Sequence, residues 1–536
     1  MVSLCQLNLR VGDILGNQNQ IIDSIHSAQN QGAWLIVFSE LTICGYPPKD
    51  LLLYSDFVSK CMQAIHDIAQ KVDEKTHVIV GGPFRDENFC YNTLFVLHNK
   101  QIIHTYHKQL LPTYNIFDEA RYFEPGKSPL VLNIKGYQFA FTICEDLWNG
   151  IDRTYDHTPL DLFKAQKIDY VVNISASPFN TDHQHHREDV LKRNCIQYNT
   201  GIIYVNQVGA NTDLVFDGGS MFFDALGNKR VQCAYFQPEI KTFSLKDVPS
   251  ESITTINTLE SIENALVLGI QDYFAKNGFK KAILGLSGGI DSALVLYLAQ
   301  KALGKEHVLP VLMPSMYSSI SSVDDSVALC RNLEMPFLKI PIHKAHDTIL
   351  SELHPFFEEK TADVTEENIQ ARIRGLYLMA LANKHHCVLL NTTNKSEAAV
   401  GYGTLYGDLC GGLSVLGDVY KTQVYALAQW INKDLEIIPN SILCKAPSAE
   451  LRPDQKDTDS LPAYEWLDQV LFDYIEEYRS IDHLILKHGN EKDVKKIIQL
   501  VLKNEYKRFQ MAPVIRVSKR AFGDGRNMPL TFKYAF

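Results

Sequence analysis

Short apolar runs, separated by stretches with helical spacing, set the rhythm of this chain. Trp34-Leu35-Ile36-Val37-Phe38, Val78-Ile79-Val80, Phe139-Ala140-Phe141-Thr142-Ile143 and Tyr170-Val171-Val172-Asn173-Ile174 are too brief for helices and carry too few polar positions for a solvated face. Each predicts a buried strand of an α/β layered fold. The rhythm lapses in Leu245-Lys246-Asp247-Val248-Pro249-Ser250-Glu251-Ser252, which predicts a linker over 246–258. Helical spacing resumes at 262–270, followed by the strand-like runs Val308-Leu309-Pro310-Val311-Leu312-Met313 and Cys387-Val388-Leu389-Leu390-Asn391. The pattern therefore predicts two domains, 1–245 and 259–536. The second is a doubly wound parallel sheet with its site at the strand C-termini.

The length of 536 residues agrees with more than one core, and 46% hydrophobic residues describe a globular protein. No window approaches 18 uninterrupted apolar residues, so no membrane span is expected. The opening Val2-Ser3-Leu4-Cys5-Gln6-Leu7 lacks a basic region and apolar stretch, which makes a cytoplasmic location the expectation. Eleven scattered cysteines with no Cys-x-x-Cys pair argue against a zinc ribbon and a disulfide scaffold. A net charge of −10 gives no global attraction for nucleic acid. Any nucleotide site must be locally basic or metal-assisted.

One segment changes the picture. Ser287-Gly288-Gly289-Ile290-Asp291-Ser292 follows the apolar run Ala282-Ile283-Leu284-Gly285-Leu286 and opens a helical stretch, making a strand, glycine turn and helix N-terminus. Backbone amides at the glycines and the helix N-terminus favour phosphate oxygens. The lysine of a Walker A loop is missing, whereas Asp291 supplies a carboxylate suited to Mg²⁺. The segment resembles the pyrophosphatase-type loop of enzymes that split ATP into AMP and pyrophosphate to activate an acceptor.

The first domain offers different chemistry. Glu40 follows Val37-Phe38-Ser39, Lys108 stands in His107-Lys108-Gln109-Leu110-Leu111-Pro112, and Cys144 follows Thr142-Ile143 and precedes Glu145-Asp146-Leu147-Trp148. Alone, each reads as a core thiol or a solvated charge. Together, in this order and at these intervals, the three segments resemble those of the nitrilase superfamily, which implies an αββα sandwich. A thiolate suits attack on an unreactive amide, Glu40 can move the proton, and Lys108 can stabilise the oxyanion. The resemblance further implies glutamine as the amide, with Tyr114 and Ser177 lining its pocket. Six residues beyond Ser177 the superfamily usually places a lysine or other strong base, and this chain has His183. Either His183 or Arg187 is expected to anchor the glutamine carboxylate.

A glutaminase joined to an adenylating loop implies an ATP-dependent amidotransferase. A purine nucleotide or an RNA would be alternative acceptors, the latter disfavoured by the acidic charge. Further motifs narrow the choice: Glu367-Asn368-Ile369-Gln370-Ala371-Arg372-Ile373-Arg374-Gly375, Thr392-Thr393-Asn394-Lys395-Ser396-Glu397, Asp418-Val419-Tyr420-Lys421, Lys445-Ala446-Pro447-Ser448 and Tyr506-Lys507-Arg508. With these, the chain from Glu40 to Gly523-Asp524-Gly525-Arg526 resembles the glutamine-dependent NAD⁺ synthetase family. The resemblance implies that deamido-NAD⁺ is adenylated and then attacked by ammonia. It assigns ATP to Gly285, Leu286, Ser287, Gly288, Gly289, Ile290, Asp291, Ser292 and Thr392, and deamido-NAD⁺ to Asn368, Glu397 and Lys507. It implies Mg²⁺ on Asp291 and Glu397, with Lys395, Lys421 and Lys445 as candidates for neutralising phosphate. Small-molecule substrates and a homo-oligomer complete the expectation. Met316 occupies a position where the family often has arginine, which removes one phosphate contact.

Overall fold

The computed structural model describes residues 1–149, 154–248, 256–357, 360–453 and 455–533. The chain forms two compact units, Met1–Ile256 and Asn257–Phe536. Most of the expected linker, residues 249–255, lies outside the described residues.

The first unit is built on two six-stranded sheets. In one, the spatial order is Glu239–Phe243, Val2–Gln6, Leu35–Val37, His77–Arg85, Cys90–His98, Gln101–His107. In the other it is Lys229–Gln232, Met221–Phe223, Gly201–Asn206, Tyr170–Ser175, Tyr137–Ile143, Val131–Ile134. Each has three parallel strands at its centre and antiparallel strands outside.

Strand alternation divides the apolar residues between two layers. Val2, Leu4, Leu35 and Val37 meet Phe139, Phe141, Val172 and Ile174 in a core shared by both sheets. Their neighbours Ile36 and Phe38 face outward, where Ile21, Ile25 and Ala28 of the helix Ile14–Asn30 and Cys61, Ile65 and Ile68 of Ser55–Ala69 cover them. The helix His183–Tyr198 covers the outer face of the second sheet through Val190, Leu191 and Cys195. This is the αββα sandwich the sequence led us to expect.

The second unit carries a five-stranded, all-parallel sheet ordered Leu338–Lys339, Val308–Leu312, Lys281–Gly285, Cys387–Asn391, Leu413–Ser414. Its first strand in sequence, Lys281–Gly285, lies in the middle. The chain builds outward from it to one side and then, after the helix Val364–His385, to the other. That reversal opens a crevice beyond the carboxyl ends of Lys281–Gly285 and Cys387–Asn391, where doubly wound sheets bind ligands.

Candidate functional sites

In the first unit, Glu40, Lys108 and Cys144 come together beyond the carboxyl ends of Leu35–Val37 and Gln101–His107 in one sheet and Tyr137–Ile143 in the other. Lys108 Nζ lies 2.7 Å from Glu40 Oε1 and 2.8 Å from Glu119 Oε1. Glu40 is held further by Asn92 Nδ2 at 2.7 Å and by the backbone N–H of Ala176 at 2.9 Å. Burial alone would lower the Lys108 ammonium, but Glu119 and Glu40 outweigh it and hold it well above the usual lysine range. Burial pushes the Cys144 thiol well above its ordinary value, Glu40 adds to the effect, and Lys108 opposes it. The resting sulfur therefore keeps its proton, and a base must remove it.

Backbone geometry presents that sulfur. Cys144 has φ of +42°, a left-handed conformation costly for a side-chain-bearing residue, and it ends the strand Tyr137–Ile143 in a tight turn. Asp146 fixes the turn by accepting from the N–H groups of Ile143, Gln109 and Leu110 at 2.9, 3.1 and 3.0 Å. It also accepts from Tyr106 Oη at 2.8 Å, so one carboxylate ties the nucleophile's turn to the segment carrying Lys108.

Glu119 is the group the sequence reading missed. Its side chain is closed to solvent, Tyr46 Oη donates to it at 2.9 Å, and burial raises its carboxyl to about 7, with Lys108 opposing and Glu40 adding. Its signal was the run Phe117-Asp118-Glu119, which belongs to the lysine segment that resembles the superfamily's, although no role attached to Glu119 there.

Around the sulfur, Glu145 accepts from Tyr114 Oη at 2.9 and 3.1 Å and from Tyr155 Oη at 3.1 Å. Ser177 Oγ and His183 Nε2 are 2.7 Å apart, and the His183 ring stacks on Trp148 with centroids 5.0 Å apart. His183 and Arg187 stand in different surroundings. Arg187 is fully buried and grips Asp217 with two hydrogen bonds, at 3.0 and 2.7 Å, so its charge is already neutralised inside the sandwich.

In the second unit, Gly285, Leu286, Ser287, Gly289, Ile290, Asp291 and Ser292 line the crevice with Thr392, Glu397, Lys421 and Lys445. Gly288 stands behind this wall at φ of +82°, where an added Cβ would lie 2.2 Å from the Ser322 carbonyl oxygen. Only glycine fits there. Ser287 Oγ and Ser292 Oγ are 3.0 Å apart across the loop, which leads directly into the helix Ile290–Leu303.

Lys421 Nζ bonds Asp291 and lies 3.4 Å from Glu397 Oε1. Burial, with Asp291 adding and Lys421 opposing, raises the Glu397 carboxyl to about 8. Asp291 and Glu397 thus crowd one ammonium, and burial together with the Asp291 charge disfavours the ionised form of Glu397. Their hard oxygens would suit a divalent cation such as Mg²⁺. Among the described residues no group of three or more His, Cys, Asp or Glu would hold a metal unaided.

The remaining expected residues divide. Lys445 lines the crevice and bonds Ser322 and, at 3.0 Å, Glu450. Asn368 Oδ1 accepts from Thr404 Oγ1 at 2.6 Å, while Lys507 Nζ donates to the carbonyls of Gly401 and Gly403, both at 2.8 Å. Both thus brace the loop whose Tyr402 lines the crevice. Lys395 is a correction: its side chain is wholly buried and bound to Glu476, Asp418 and Ser518, so no ammonium remains for a phosphate. Met316 is 58% exposed and does not line the crevice.

Known proteins show the same two halves. Residues 1–255 match the Carbon-nitrogen hydrolase family and residues 262–511 match NAD synthase. The glutamine-dependent NAD(+) synthetase of Synechocystis is 43% identical, covering 99% of this chain and 98% of its own. That of Thermotoga maritima is 39% identical over 99% and 98%. The solved structure of glutamine-dependent NAD⁺ synthetase from Acinetobacter baumannii in complex with ADP is 37% identical, with a TM-score of 0.80 over 99% and 98% of the two chains. Similarity at this level along the whole length, joined to a thiol site in one unit and a phosphate loop in the other, shows that the chain belongs to the glutamine-dependent NAD⁺ synthetase family.

Proposed function

We propose that named side chains divide the work of this ATP-dependent carbon–nitrogen ligase between residues 1–245 and 259–536, joined by a linker at 246–258. The overall reaction converts deamido-NAD⁺, ATP, glutamine and water to NAD⁺, AMP, pyrophosphate and glutamate.

In the first unit Glu40 takes the Cys144 proton as sulfur attacks the glutamine amide carbon, and Lys108 neutralises the resulting oxyanion. Collapse of that intermediate expels ammonia, which takes its proton from Glu40, and leaves a thioester at Cys144. Water activated by Glu40 then releases glutamate and restores the thiol. Glu145, braced by Tyr114 and Tyr155, matches the α-ammonium of the substrate, while Ser177 and His183 match its α-carboxylate.

In the second unit the amides of Ser287–Ser292, with Thr392, Lys421 and Lys445, hold ATP, and the loop braced by Asn368 and Lys507 holds deamido-NAD⁺. The nicotinate carboxylate attacks the α-phosphorus, pyrophosphate leaves, and ammonia displaces AMP from the adenylate. Mg²⁺ on Asp291 and Glu397 would offset charge building up on the pyrophosphate.

The observation that carries this reading is the Glu40–Lys108 pair beside a Cys144 thiol held in a left-handed turn. Neutral ammonia is the nucleophile and water would protonate it, so the two reactions are coupled without release to bulk solvent. A cytoplasmic homo-oligomer completes the reading, and sedimentation tests the assembly.

The test uses ¹⁵N-amide glutamine, ATP and deamido-NAD⁺, with excess unlabelled ammonium at pH 7. Labelled NAD⁺ with one AMP per turnover is expected, as is loss of glutamine-dependent synthesis in Cys144→Ala with ammonium-dependent synthesis retained at alkaline pH. Label that follows the bulk ammonium pool would rule out coupling. Loss of both activities in Cys144→Ala would overturn the division of labour.

A further inference from the structure

One charged side chain in the ligase crevice has no assigned work. Arg374 lies in the helix Val364–His385 and lines the crevice alongside Gly285, Met313 and Gly375. Its Nε donates to the Met313 carbonyl at 3.1 Å, which fixes the plane of the guanidinium. Among the described residues its two terminal nitrogens have no hydrogen-bond or ion-pair partner.

The nearest carboxylates are engaged elsewhere. Asp408 accepts from the backbone N–H of Thr404, and Glu450 accepts from Ser319, Ser322 and Lys445. Burial pushes the Arg374 guanidinium down to about 10, with Asp408 and Glu450 opposing. At neutral pH it stays charged. The side chain is half-buried, and its terminal nitrogens line the crevice with no bonded counter-ion, which leaves them to a ligand that brings one.

Its position indicates which ligand. One helical turn beyond Arg374, Leu378 stands beside Gly285, the residue that opens the phosphate loop; a Cβ at Gly285 would lie 3.3 Å from both Leu378 Cδ1 and Met313 Cε. Arg374 and the phosphate loop therefore border the same part of the crevice. A guanidinium presents a planar fork of donors that suits phosphate oxygens better than an ammonium does.

We propose that Arg374 is an ATP-binding residue of the ligase site, its terminal nitrogens pairing with a phosphate oxygen of the bound nucleotide. This rests on the ligase reading above. Lys421 and Lys445 sit against carboxylates before ligand arrives, whereas Arg374 holds its charge in reserve.

The experiment compares wild type, R374Q and R374K by calorimetric titration with ATP plus Mg²⁺, and separately with deamido-NAD⁺. Thermal unfolding of the ligand-free proteins and ammonia release from glutamine are measured alongside. Loss of a charge-assisted hydrogen bond predicts about 10-fold or greater weakening of ATP in R374Q, with partial recovery in R374K. Ligand-free Tm, deamido-NAD⁺ affinity and glutaminase rate should stay at wild-type values. ATP affinity within twofold of wild type in R374Q overturns the proposal, as does selective weakening of deamido-NAD⁺. A lower ligand-free Tm with equal weakening of both nucleotides marks a structural role and also overturns it. Wild type given ATP, deamido-NAD⁺ and ammonium separates this from the ligase reading: no AMP defeats that reading, whereas normal AMP with unaltered R374Q binding removes Arg374 alone.

Discussion

Lys108 and Glu40 lie 2.7 Å apart with neither side chain reaching solvent. In that setting the pair is part of one electrostatic object, because neutralising Glu40 removes one of the two buried carboxylates, Glu40 and Glu119, that balance the Lys108 charge. Breaking such a pair costs about 3–5 kcal/mol. Glu40→Gln should therefore lower the Tm of the first unit and slow ammonia release by at least about 100-fold. Ammonium-dependent NAD⁺ synthesis should persist. Parallel rate measurements with glutamine and with ammonium check this, and an equal fall in both would contradict it.

Glu119 makes stability depend on pH in a defined direction. Its carboxyl is raised from an ordinary 4.5 to about 7 by burial, with Glu40 adding and Lys108 opposing. The folded protein then binds this proton more tightly than the unfolded chain. The contribution is complete below about pH 4.5 and is lost as pH rises through about 7. Tm measured from pH 5 to 8 in wild type and Glu119→Gln isolates this group. The wild-type advantage should shrink as pH rises, whereas parallel curves would refute the assignment.

Gly288→Ala should damage the ligase alone. The left-handed backbone costs about 1–2 kcal/mol with a Cβ present, and the 2.2 Å approach to Ser322 forces the loop to move. ATP titration should show binding lost, while glutamine hydrolysis continues. Wild-type ATP affinity in this variant would show that the loop does not shape the nucleotide site.

His183 and Arg187 separate by phenotype. His183→Ala removes a ring bonded to Ser177 Oγ and should raise the glutamine KM about 10-fold with little change in Tm. Arg187→Ala strands Asp217 and should appear as a fold defect worth about 3–5 kcal/mol. Steady-state kinetics beside thermal unfolding distinguish the two, and a Tm loss in His183→Ala larger than in Arg187→Ala would reverse the roles.

Strands were legible because burial writes them as short apolar runs: Cys387–Asn391 coincides with its run, and Leu35–Val37 and Tyr170–Ser175 fall on theirs within one or two residues. Glu40, Lys108 and Cys144 were legible from the motifs around them. Glu119 was not, since it reaches Lys108 through a turn and no periodicity marks a buried carboxylate. Lys395 misled for the opposite reason. A lysine beside a phosphate-binding strand reads as a ligand contact, and its partners Asp418, Glu476 and Ser518 are scattered over more than a hundred residues.

The ring of bonds around Lys395 also orders events in time. Translation delivers Lys395, Asp418 and Glu476 first, but Asp418 needs the N–H groups of Val517 and Ser518, at 2.8 and 2.7 Å, and Lys395 needs the Arg520 carbonyl at 2.9 Å. Val514 bridges to Ser414 at the sheet edge in the same stretch. A nascent chain halted before residue 513 would carry a complete glutaminase and a ligase with an open charged seam. Protease digestion of purified chains, one truncated after residue 512 and one of full length, should cut the ligase half of the shorter one far faster, and equal resistance would show that the seam closes without residues 513–520.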